Sequence, residues 1–416
     1  MSARLAQYVT ADLPGTGGRI KERPEDFVVT ELPLYAPSGR GEHVYLLVEK
    51  RGVGSFEAAD RIARAFGLPR RWVGLAGLKD AQSVSRQWMS LQGIDPEKAS
   101  ALAWPDLRVL QVARHRNKLK IGHLAGNRFE VRLRRCVADA ESRARAILER
   151  LSARGVPNGF DEQRFGRRSD NHLLGRALVL GDARAFCDRF LGGPSPADSP
   201  RLQKARRCYD AGDLAGARRH FGGQREHLKV LSTLLRTSDP QRAARALGKQ
   251  LARLFVSAYQ SALFNDVLAR RLPHLAHLEI GDLAYLHAQG AVFLVQDPDA
   301  EQPRADRFEL SPSGPIVGHR VRLAEGRPGE IEREVLTEHG IQPEDFQRIK
   351  ALRLRGGRRP LRVPLSDVAV TAEGEDLLLA FTLPPGAYAT IVLAEITKSP
   401  PEAAPPFALV GGGRPG

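Results

Sequence analysis

The first third of the chain is patterned for β-strands. Two short runs of β-forming apolar residues occupy positions 27–29 and 44–48, and a Pro-Ser-Gly turn lies between them. Two such runs joined by a turn predict a β-hairpin. The same texture predicts further strands at residues 72–74, 87–91, 107–112 and 128–134.

Helical signals interrupt these strands. Ser55 precedes apolar residues at helical spacing (Ala58, Ile62 and Phe66), and Gly67 follows them. Serine is a favoured N-cap and glycine a favoured C-terminal stop, so we predict a helix capped by Ser55. A second helix is predicted over residues 139–151. Strands covered by a few helices indicate an α+β sheet domain.

The pattern changes after Gly155. Leucines and alanines at helical spacing predict one long helix over residues 241–272, after a Pro/Gly-rich loop at 191–201. Short strands are predicted at 283–287 and 291–295. From residue 353 the early texture returns, with a buried strand at 377–383 and a helix starting on proline at 385–397. The Pro/Gly-rich tail after Lys398 predicts disorder.

Composition narrows the class of partner. Lys and Arg number 63 against 48 Asp and Glu, a formal net charge of +15, and 42% of residues are hydrophobic. A globular protein with this surplus favours a polyanionic partner, although a high-GC genome inflates arginine and would produce part of the same excess.

Other function classes lose support. The three cysteines are far apart and form no CxxC pair, so neither a zinc site nor a disulfide framework is predicted. No segment approaches the roughly 20 apolar residues of a membrane helix, and the start has no apolar signal core. We therefore predict a cytoplasmic protein without membrane association and without a metal ion.

One acidic residue lies in a setting suited to chemistry. Asp80 ends the turn GLAGLKD at residues 74–80, and Ser83 and Ser85 follow it. Glycines allow a close approach to the backbone, and small neighbours leave room for a base. An aspartate in such a turn is more often a turn residue or a helix cap than a nucleophile.

The segments around this turn resemble the TruD family of tRNA pseudouridine synthases, whose catalytic motif is GxKDxxAxTxQ. Ser83 and Ser85 replace the family's Ala and Thr, and Gly159 replaces a Tyr. Six segments match in order between about residues 19 and 397. They are IKERPEDFVV at 20–29, GLAGLKD at 74–80 continuing to Gln87-Trp88, GNRF at 126–129, GVPNGFDEQRFG at 155–166, YQSALFN at 259–265 and LPPGAYAT at 383–390.

The resemblance implies an α+β architecture. A pseudouridine-synthase sheet domain is split in sequence by an α/β insertion domain specific to the TruD family, and RNA lies in the cleft between them. We place the catalytic parts at residues 1–155 and 351–400, the insertion at 156–350 and a disordered tail at 401–416.

The resemblance also implies the reaction. Uridine becomes pseudouridine when the N1–C1′ bond breaks, the uracil turns while bound, and C5 joins C1′. No redox change occurs, so we expect no cofactor. One carboxylate can begin the reaction by attack on sugar or base or by removing a C2′ proton, and both routes stay open. Asp80 takes this role by resemblance, with Lys21 as the candidate basic neighbour.

The target base must leave its stack, so base-binding residues are needed. Phe129 is the candidate stacking platform, although the alternation of Phe129, Val131 and Leu133 also fits a strand core. Asn127 is a candidate for the uracil edge or for orienting Asp80, since an amide both donates and accepts. Gln87 is a weaker candidate behind them.

Basic residues supply candidates for phosphate contact, favoured over a solvated edge by the net charge. The candidates are Lys79, Arg114, Arg116, Lys118, Lys120 and Arg164. We predict a monomer that acts on tRNA, at position thirteen by the family's bacterial pattern. The alternatives are the same chemistry on another RNA, and an RNA-binding protein without chemistry.

Overall fold

The protein is described here from a computed structural model that covers residues 7–398. Within that range the chain forms two compact units. One, the sheet unit, comprises Val9–Val156 and the chain from Val363 onward, and the other, the helical unit, comprises Pro157–Arg362. The predicted 401–416 tail lies outside the described residues. Each unit has its own apolar core.

The first segment of the sheet unit is mainly β-structure. It contains β1 (Gly17–Arg19), β2 (Phe27–Pro33), β3 (His43–Arg51), α1 (Ser55–Ala65), β4 (Gly74–Leu75), β5 (Val84–Gln92), α2 (Pro96–Ser100), β6 (Ala103–Trp104), β7 (Leu107–His115), β8 (Leu124–Cys136) and α3 (Ala140–Arg154). The short strand β9 (Val156–Pro157) follows where the chain passes into the helical unit.

The helical unit is a set of packed helices with a small antiparallel sheet. Its elements are α4 (Asn171–Leu180), α5 (Ala183–Leu191), α6 (Pro200–Asp210), α7 (Leu214–His220), α8 (Arg225–Thr237), α9 (Pro240–Arg245), α10 (Lys249–Arg271), β10 (Leu283–Leu286), β11 (Val292–Leu294), α11 (Pro298–Asp306), β12 (Leu310–Ile316), α12 (Gly326–Glu338) and β13 (Gly357–Pro360). Its sheet has the strand order β11-β10-β12-β13.

The chain returns through β14 (Arg362–Val363) and completes the sheet unit with β15 (Ser366–Glu373), β16 (Asp376–Leu383) and α13 (Ala389–Thr397). Short 3-10 segments lie at Pro24–Asp26, Arg70–Trp72, Glu162–Phe165, Leu272–His274 and Pro343–Leu352.

The main sheet is built from both segments of its unit. Its order is β15-β16-β8-β2-β5-β3-β7-β6, with β1 beside β8 and β4 beside β5. β16 pairs with β8 along Leu377–Leu383, so the returning segment extends the sheet on the side away from β3. Helices and strands alternate irregularly around this mixed sheet, and the predicted α+β class is confirmed.

The predicted hairpin is wrong. β2 and β3 are both strands, but β5 lies between them, parallel to β2 (Val28 opposite Val84) and antiparallel to β3 (Val44 opposite Leu91). β5 is buried along nearly its whole length, on both faces. A strand of that kind needs neighbours on both sides, so it occupies the centre of the sheet.

Two predicted helices differ in their limits. The segment 241–272 breaks into α9 and α10 because Gly248, the N-cap of α10, adopts an extended conformation with φ −62° and ψ 137°. α13 begins at Ala389 rather than at Pro385. Gly386 has a φ of +78°, which a right-handed helix cannot contain, so the helix starts only after that turn.

One face of the main sheet carries two separate apolar clusters. The first packs Phe129, Val131 and Leu133 of β8 against α3 and α13, and the second packs Val44, Leu46 and Val48 of β3 against α1. Burial of these side chains, at roughly 25 cal/mol per Å² of apolar surface, fixes which face of each strand points inward. The candidate site lies between the two clusters.

Candidate active site

A row of polar side chains separates the two apolar clusters on this face. Asn127, Glu31, Gln87 and Lys50 continue, at strand spacing, the apolar positions of β8, β2, β5 and β3. Asn127 lies directly opposite Glu31, and the backbone N–H of Trp88 donates to Glu31 Oε1 at 3.2 Å. Because alternate residues of a strand share a face, the four side chains point to the same side as the two cores.

The segment from Ala76 to Ser83, which we call the Asp80 turn, is anchored to this row first by an ion pair. Lys79 Nζ lies 2.9 Å from Glu31 Oε2, and the two side chains are 7% and 1% exposed. A Cβ on Gly77 would come within 3.3 Å of that Nζ and 3.5 Å of the Glu31 carboxylate. The motif glycine therefore leaves room for the ion pair.

Ser55 and Gln87 hold the same turn by hydrogen bonds. Gln87 Nε2 donates to Gly77 O at 2.6 Å, and Ser55 Oγ donates to Gln87 Oε1 at 2.8 Å. The backbone N–H of Lys79 donates to Ser55 Oγ, also at 2.8 Å. The prediction that Ser55 caps α1 is wrong, since Gly54 is the N-cap and the Ser55 hydroxyl is used by the turn.

Lys50 holds the middle of the turn. It is fully buried, and its Nζ donates to Val53 O at 2.6 Å, Asp80 O at 3.3 Å and Lys79 O at 3.5 Å. Ser83 Oγ also donates to Asp80 O, at 3.1 Å. Burial, together with the positive charge of Lys79, lowers the pKa of Lys50 to about 8, while the charge of Asp80 acts in the opposite direction.

The Asp80 side chain differs from its surroundings. The residue is exposed, and no hydrogen bond or ion pair to its carboxylate is found among residues 7–398. Its main chain is fixed, while its carboxylate is open to a ligand. Fixed placement of a reactive group is the arrangement that lowers the entropic cost of a reaction.

Three predicted neighbours lie at different places. Lys21 has a left-handed φ of 57° and places its ammonium 4.4 Å from the centre of the Phe27 ring, and within the described range no bond joins it to Asp80. Phe129 is 7% exposed and packs its ring on Phe381, with 5.5 Å between ring centres. Phe129 is thus part of the core, and its stacking role stays a prediction.

Asn127 is the neighbour with an unsatisfied hydrogen-bond acceptor. Its Oδ1 is buried and accepts no hydrogen bond within the described range. The preceding Gly126 packs so closely that a Cβ would lie 2.6 Å from Leu383 O, so the GN pair brings β8 close to the returning strand. A buried amide oxygen without a donor is costly, and a bound ligand that donates to it would remove that cost.

The phosphate candidates divide by their contacts. Arg114, Arg116 and Lys120 are all exposed, but Arg114 donates to Gly41 O at 3.3 Å, and the half-buried Lys118 donates to Arg71 O at 2.8 Å. The prediction that Lys79 contacts phosphate does not fit its buried ion pair with Glu31.

Family motifs in the helical unit hold that unit together. Asn265 bonds the main chain of Phe160 through both its Oδ1 and its Nδ2, at 2.8 and 2.9 Å. Arg164 donates to the hydroxyls of Ser261 and Ser257 at 3.2 and 3.0 Å. Arg164 is therefore engaged inside its own unit, and its role as a phosphate contact stays a prediction.

Other kinds of site find no support in residues 7–398. No group of three or more His, Cys, Asp or Glu side chains there is arranged to hold a metal ion. Cys136, Cys187 and Cys208 are free thiols. None of the helices in this range combines the length and apolar character that crossing a bilayer requires.

Sequence reasoning found Asp80 but missed Lys50 and Glu31. A signal was present: Val44, Leu46 and Val48 alternate with outward residues, and the next position in that series is Lys50. Phe27, Val29 and Glu31 form the same kind of series on β2. A charged residue that continues an inward-facing apolar series is a candidate for a buried functional group.

Comparison with known proteins identifies the family of the chain. The family described as tRNA pseudouridine synthase D (TruD) matches residues 5–396. The tRNA pseudouridine synthase D of Geobacter metallireducens is 50% identical over 394 residues, covering 94% of this chain and 98% of that protein. The corresponding protein of Geobacter sulfurreducens is 48% identical over 397 residues, covering 95% and 97%.

A solved structure extends the match to the fold. The crystal structure of a tRNA pseudouridine synthase D (TruD) from Methanosarcina mazei superposes with a TM-score of 0.82 at 25% identity, covering 94% of this chain and 96% of that one. The agreement spans both segments of the sheet unit and the helical unit between them. This chain belongs to the TruD family of tRNA pseudouridine synthases.

Proposed function

We propose that the protein isomerises uridine in tRNA to pseudouridine and that Asp80 starts the reaction. The observation that carries the proposal is the Asp80 turn: its main chain is held by Ser55, Gln87 and Lys50, while the carboxylate itself is exposed. A turn residue without chemistry would have no need of three buried polar supports.

The reaction needs one carboxylate to begin it and no reactant other than the uridine. The N1–C1′ bond breaks, the uracil turns about its bound axis, and a C5–C1′ bond forms. C5 then releases its proton, and N1 takes one up, so atoms and electrons balance without any other reactant. The Asp80 carboxylate begins the sequence either as a nucleophile or as a base at C2′.

The uracil has to be held while it turns. Asn127 Oδ1 is an acceptor without a donor, and uracil N3–H is a donor of the right kind. Phe129 and Phe381 form an apolar floor in the core beside Asn127, rather than an exposed platform. We therefore assign recognition of the uracil edge to Asn127. Phe129 forms the apolar floor beside that amide.

The finer assignments belong to the same proposal. The sheet unit is the catalytic domain and the helical unit the insertion; its compact range ends at Arg362, beyond the predicted residue 350. The protein acts as a monomer in the cytoplasm on the uridine at position thirteen of tRNA. Arg116 and Lys120 contact phosphates of the tRNA.

Asp80→Asn tests the proposal. Asparagine keeps the size of the side chain and suits a turn, but it lacks both charge and basicity. Release of tritium from C5-labelled uridine in tRNA should fall to background, while binding of tRNA persists, because phosphate contacts supply most of the affinity.

Asp367→Asn is a matched control, since Asp367 is an exposed aspartate of the same unit on β15. It should keep the parental rate. A sizeable rate of tritium release from the Asp80→Asn variant would remove Asp80 from the reaction and leave it as a turn residue.

A further inference from the structure

Lys50 is an unusual residue for a strand interior. It is fully buried, and it lies on the inward face of β3, next to Ser85 of β5. An ammonium group without compensation costs several kcal/mol to bury, so buried lysines are rare and are held by good acceptors.

All three acceptors of Lys50 are main-chain carbonyls. Val53 O closes the short connection between β3 and α1, whereas Lys79 O and Asp80 O belong to consecutive residues of the Asp80 turn. These carbonyls belong to the main chain and are present whatever the side chains are. The three hydrogen bonds therefore depend on the Lys50 side chain alone. The same peptide units carry the Asp80 Cα and so set the direction of its carboxylate.

The charges around Lys50 come from two elements. Lys79 and Asp80 face it from the turn, and Glu57 faces it from α1. Lys79 is neutralised by Glu31, which leaves the Asp80 carboxylate as the negative charge nearest the reacting position.

We propose that Lys50 is a positioning residue for the isomerisation: it fixes Asp80 through the main chain of the Asp80 turn and does not itself touch the substrate. The proposal rests on the proposed function of Asp80. It assigns the residue a role in aiming the carboxylate, in addition to any role in stability.

The role has a consequence for alkaline pH. Burial lowers the pKa of Lys50 to about 8. When the proton is lost, the amine keeps two N–H donors for three acceptors and has no charge, so a carbonyl of the turn loses its bond. The rate of the chemical step should therefore decline as the pH rises through about 8.

The experiment measures single-turnover tritium release against pH with saturating protein, for the parent and for Lys50→Met. Methionine has a similar length but no donors. We expect the rate constant to fall roughly 10- to 100-fold, as for a displaced catalytic group, with tRNA affinity within about twofold of the parent. The alkaline decline should be absent in the variant.

Lys398→Met is the matched control. Lys398 is another largely buried lysine of the sheet unit, and it holds Thr10 and Glu395 rather than the turn. Its loss should lower stability while the pH profile stays parental. An alkaline decline that persists in Lys50→Met, or a parental rate in that variant, would overturn the proposal.

A second measurement covers a Lys50→Met protein that does not fold. In the parent, hydrogen-exchange protection of the amides from Lys79 to Ser83, corrected for intrinsic rates, should fall between pH 7 and 9 relative to the amides of β5. Constant protection across that range would also overturn the proposal. Absence of tritium release from the parent protein would instead refute the proposed function, so the two failures are distinct.

Discussion

Both compact units contain a buried ion pair, but the two pairs hold different kinds of segment in place. In the helical unit, Arg271 meets Asp282 through two contacts of 2.8 and 2.9 Å, and the side chains are 3% and 1% exposed. In the sheet unit, Lys79 meets Glu31 at 2.9 Å with similar burial. The first pair ties α10 to the segment before β10, whereas the second ties down a turn that carries an exposed carboxylate.

The two ion pairs are similarly buried, so burial does not tell a structural pair from one that supports a functional site. What each pair holds in place does tell them apart. A buried charge pair costs desolvation wherever it lies and gives weak evidence of stability. What distinguishes the Lys79–Glu31 pair is that the supports around it (Ser55, Gln87 and Lys50) all converge on one turn whose reactive group remains open. Convergence on an open group is the feature to look for in other family members.

The largest expected effect comes from Lys79→Met. Glu31 would stay buried without its cation, so the free energy of unfolding should fall by about 3–5 kcal/mol, and activity should fall with it. In Lys79→Met/Glu31→Met the buried charge is gone, so most of the stability should return without the activity. Urea unfolding followed by tryptophan fluorescence reports this unit, since Trp72, Trp88 and Trp104 all belong to it.

Arg271→Met provides the comparison. It should cost a similar free energy of unfolding, seen in the far-UV circular dichroism of the helical unit, while the folded protein keeps the parental rate of tritium release. If the double variant at Lys79 and Glu31 recovered activity together with stability, the two networks would be equivalent and the comparison would fail.

The next effect is a loss of stability at acid pH, and it arises in the helical unit. His227 lies between the rings of Phe190 and Phe221, at 4.3 and 5.0 Å, and burial lowers its pKa to about 3. It is neutral when folded and takes up a proton when unfolded, so its stabilising contribution is present above pH 6.5 and is lost as the pH falls below that value. The loss should reach about 1.4 kcal/mol per pH unit.

His227→Phe keeps the stacked rings and removes the titration. Urea unfolding between pH 7 and 5, followed by circular dichroism, should show a shallower acid loss in this variant than in the parent. The tryptophan signal of the sheet unit should not respond to the substitution. An unchanged acid slope would assign the acid sensitivity to other groups, such as His172, whose pKa burial lowers to about 4.

The smallest effect is expected at the surface. Arg116 is exposed, and Arg116→Ala should reduce the slope of log affinity for tRNA against log salt by about 0.7–0.9, the value of one phosphate contact. Lys118→Ala should change it less, because Lys118 Nζ already donates to Arg71 O. Filter binding at several salt concentrations measures both, and a slope unaltered by Arg116→Ala would assign this run to a solvated edge.

Local patterns predicted much of the sheet unit. The strands at 87–91, 107–112 and 128–134 all lie inside β5, β7 and β8, and the turn that carries Asp80 was singled out from its glycines and its family motif. These features depend on neighbouring residues. The order of the strands does not, which is why the hairpin between β2 and β3 was predicted in place of the central β5.

The supports of the site were harder to foresee for the same reason. Ser55 has the sequence context of an N-cap, and only the tertiary position of the Asp80 turn diverts its hydroxyl. Lys79 follows the pattern of a surface lysine until Glu31, 48 residues earlier, is placed beside it. Phe129 fits both a platform and a core, and its burial against Phe381 depends on a strand from the far end of the chain.

The split sheet also has a consequence for synthesis on the ribosome. β8 ends at Cys136 and its partner β16 begins at Asp376, about 240 residues later. At about 5–20 residues per second, β8 waits roughly 10 to 50 s for that partner, with one hydrogen-bonding edge open beside Phe129 and Val131. The helical unit is continuous in sequence and can fold during this interval. The open edge of β8 is then an aggregation hazard during synthesis, because an unpaired apolar strand is a template for aggregation.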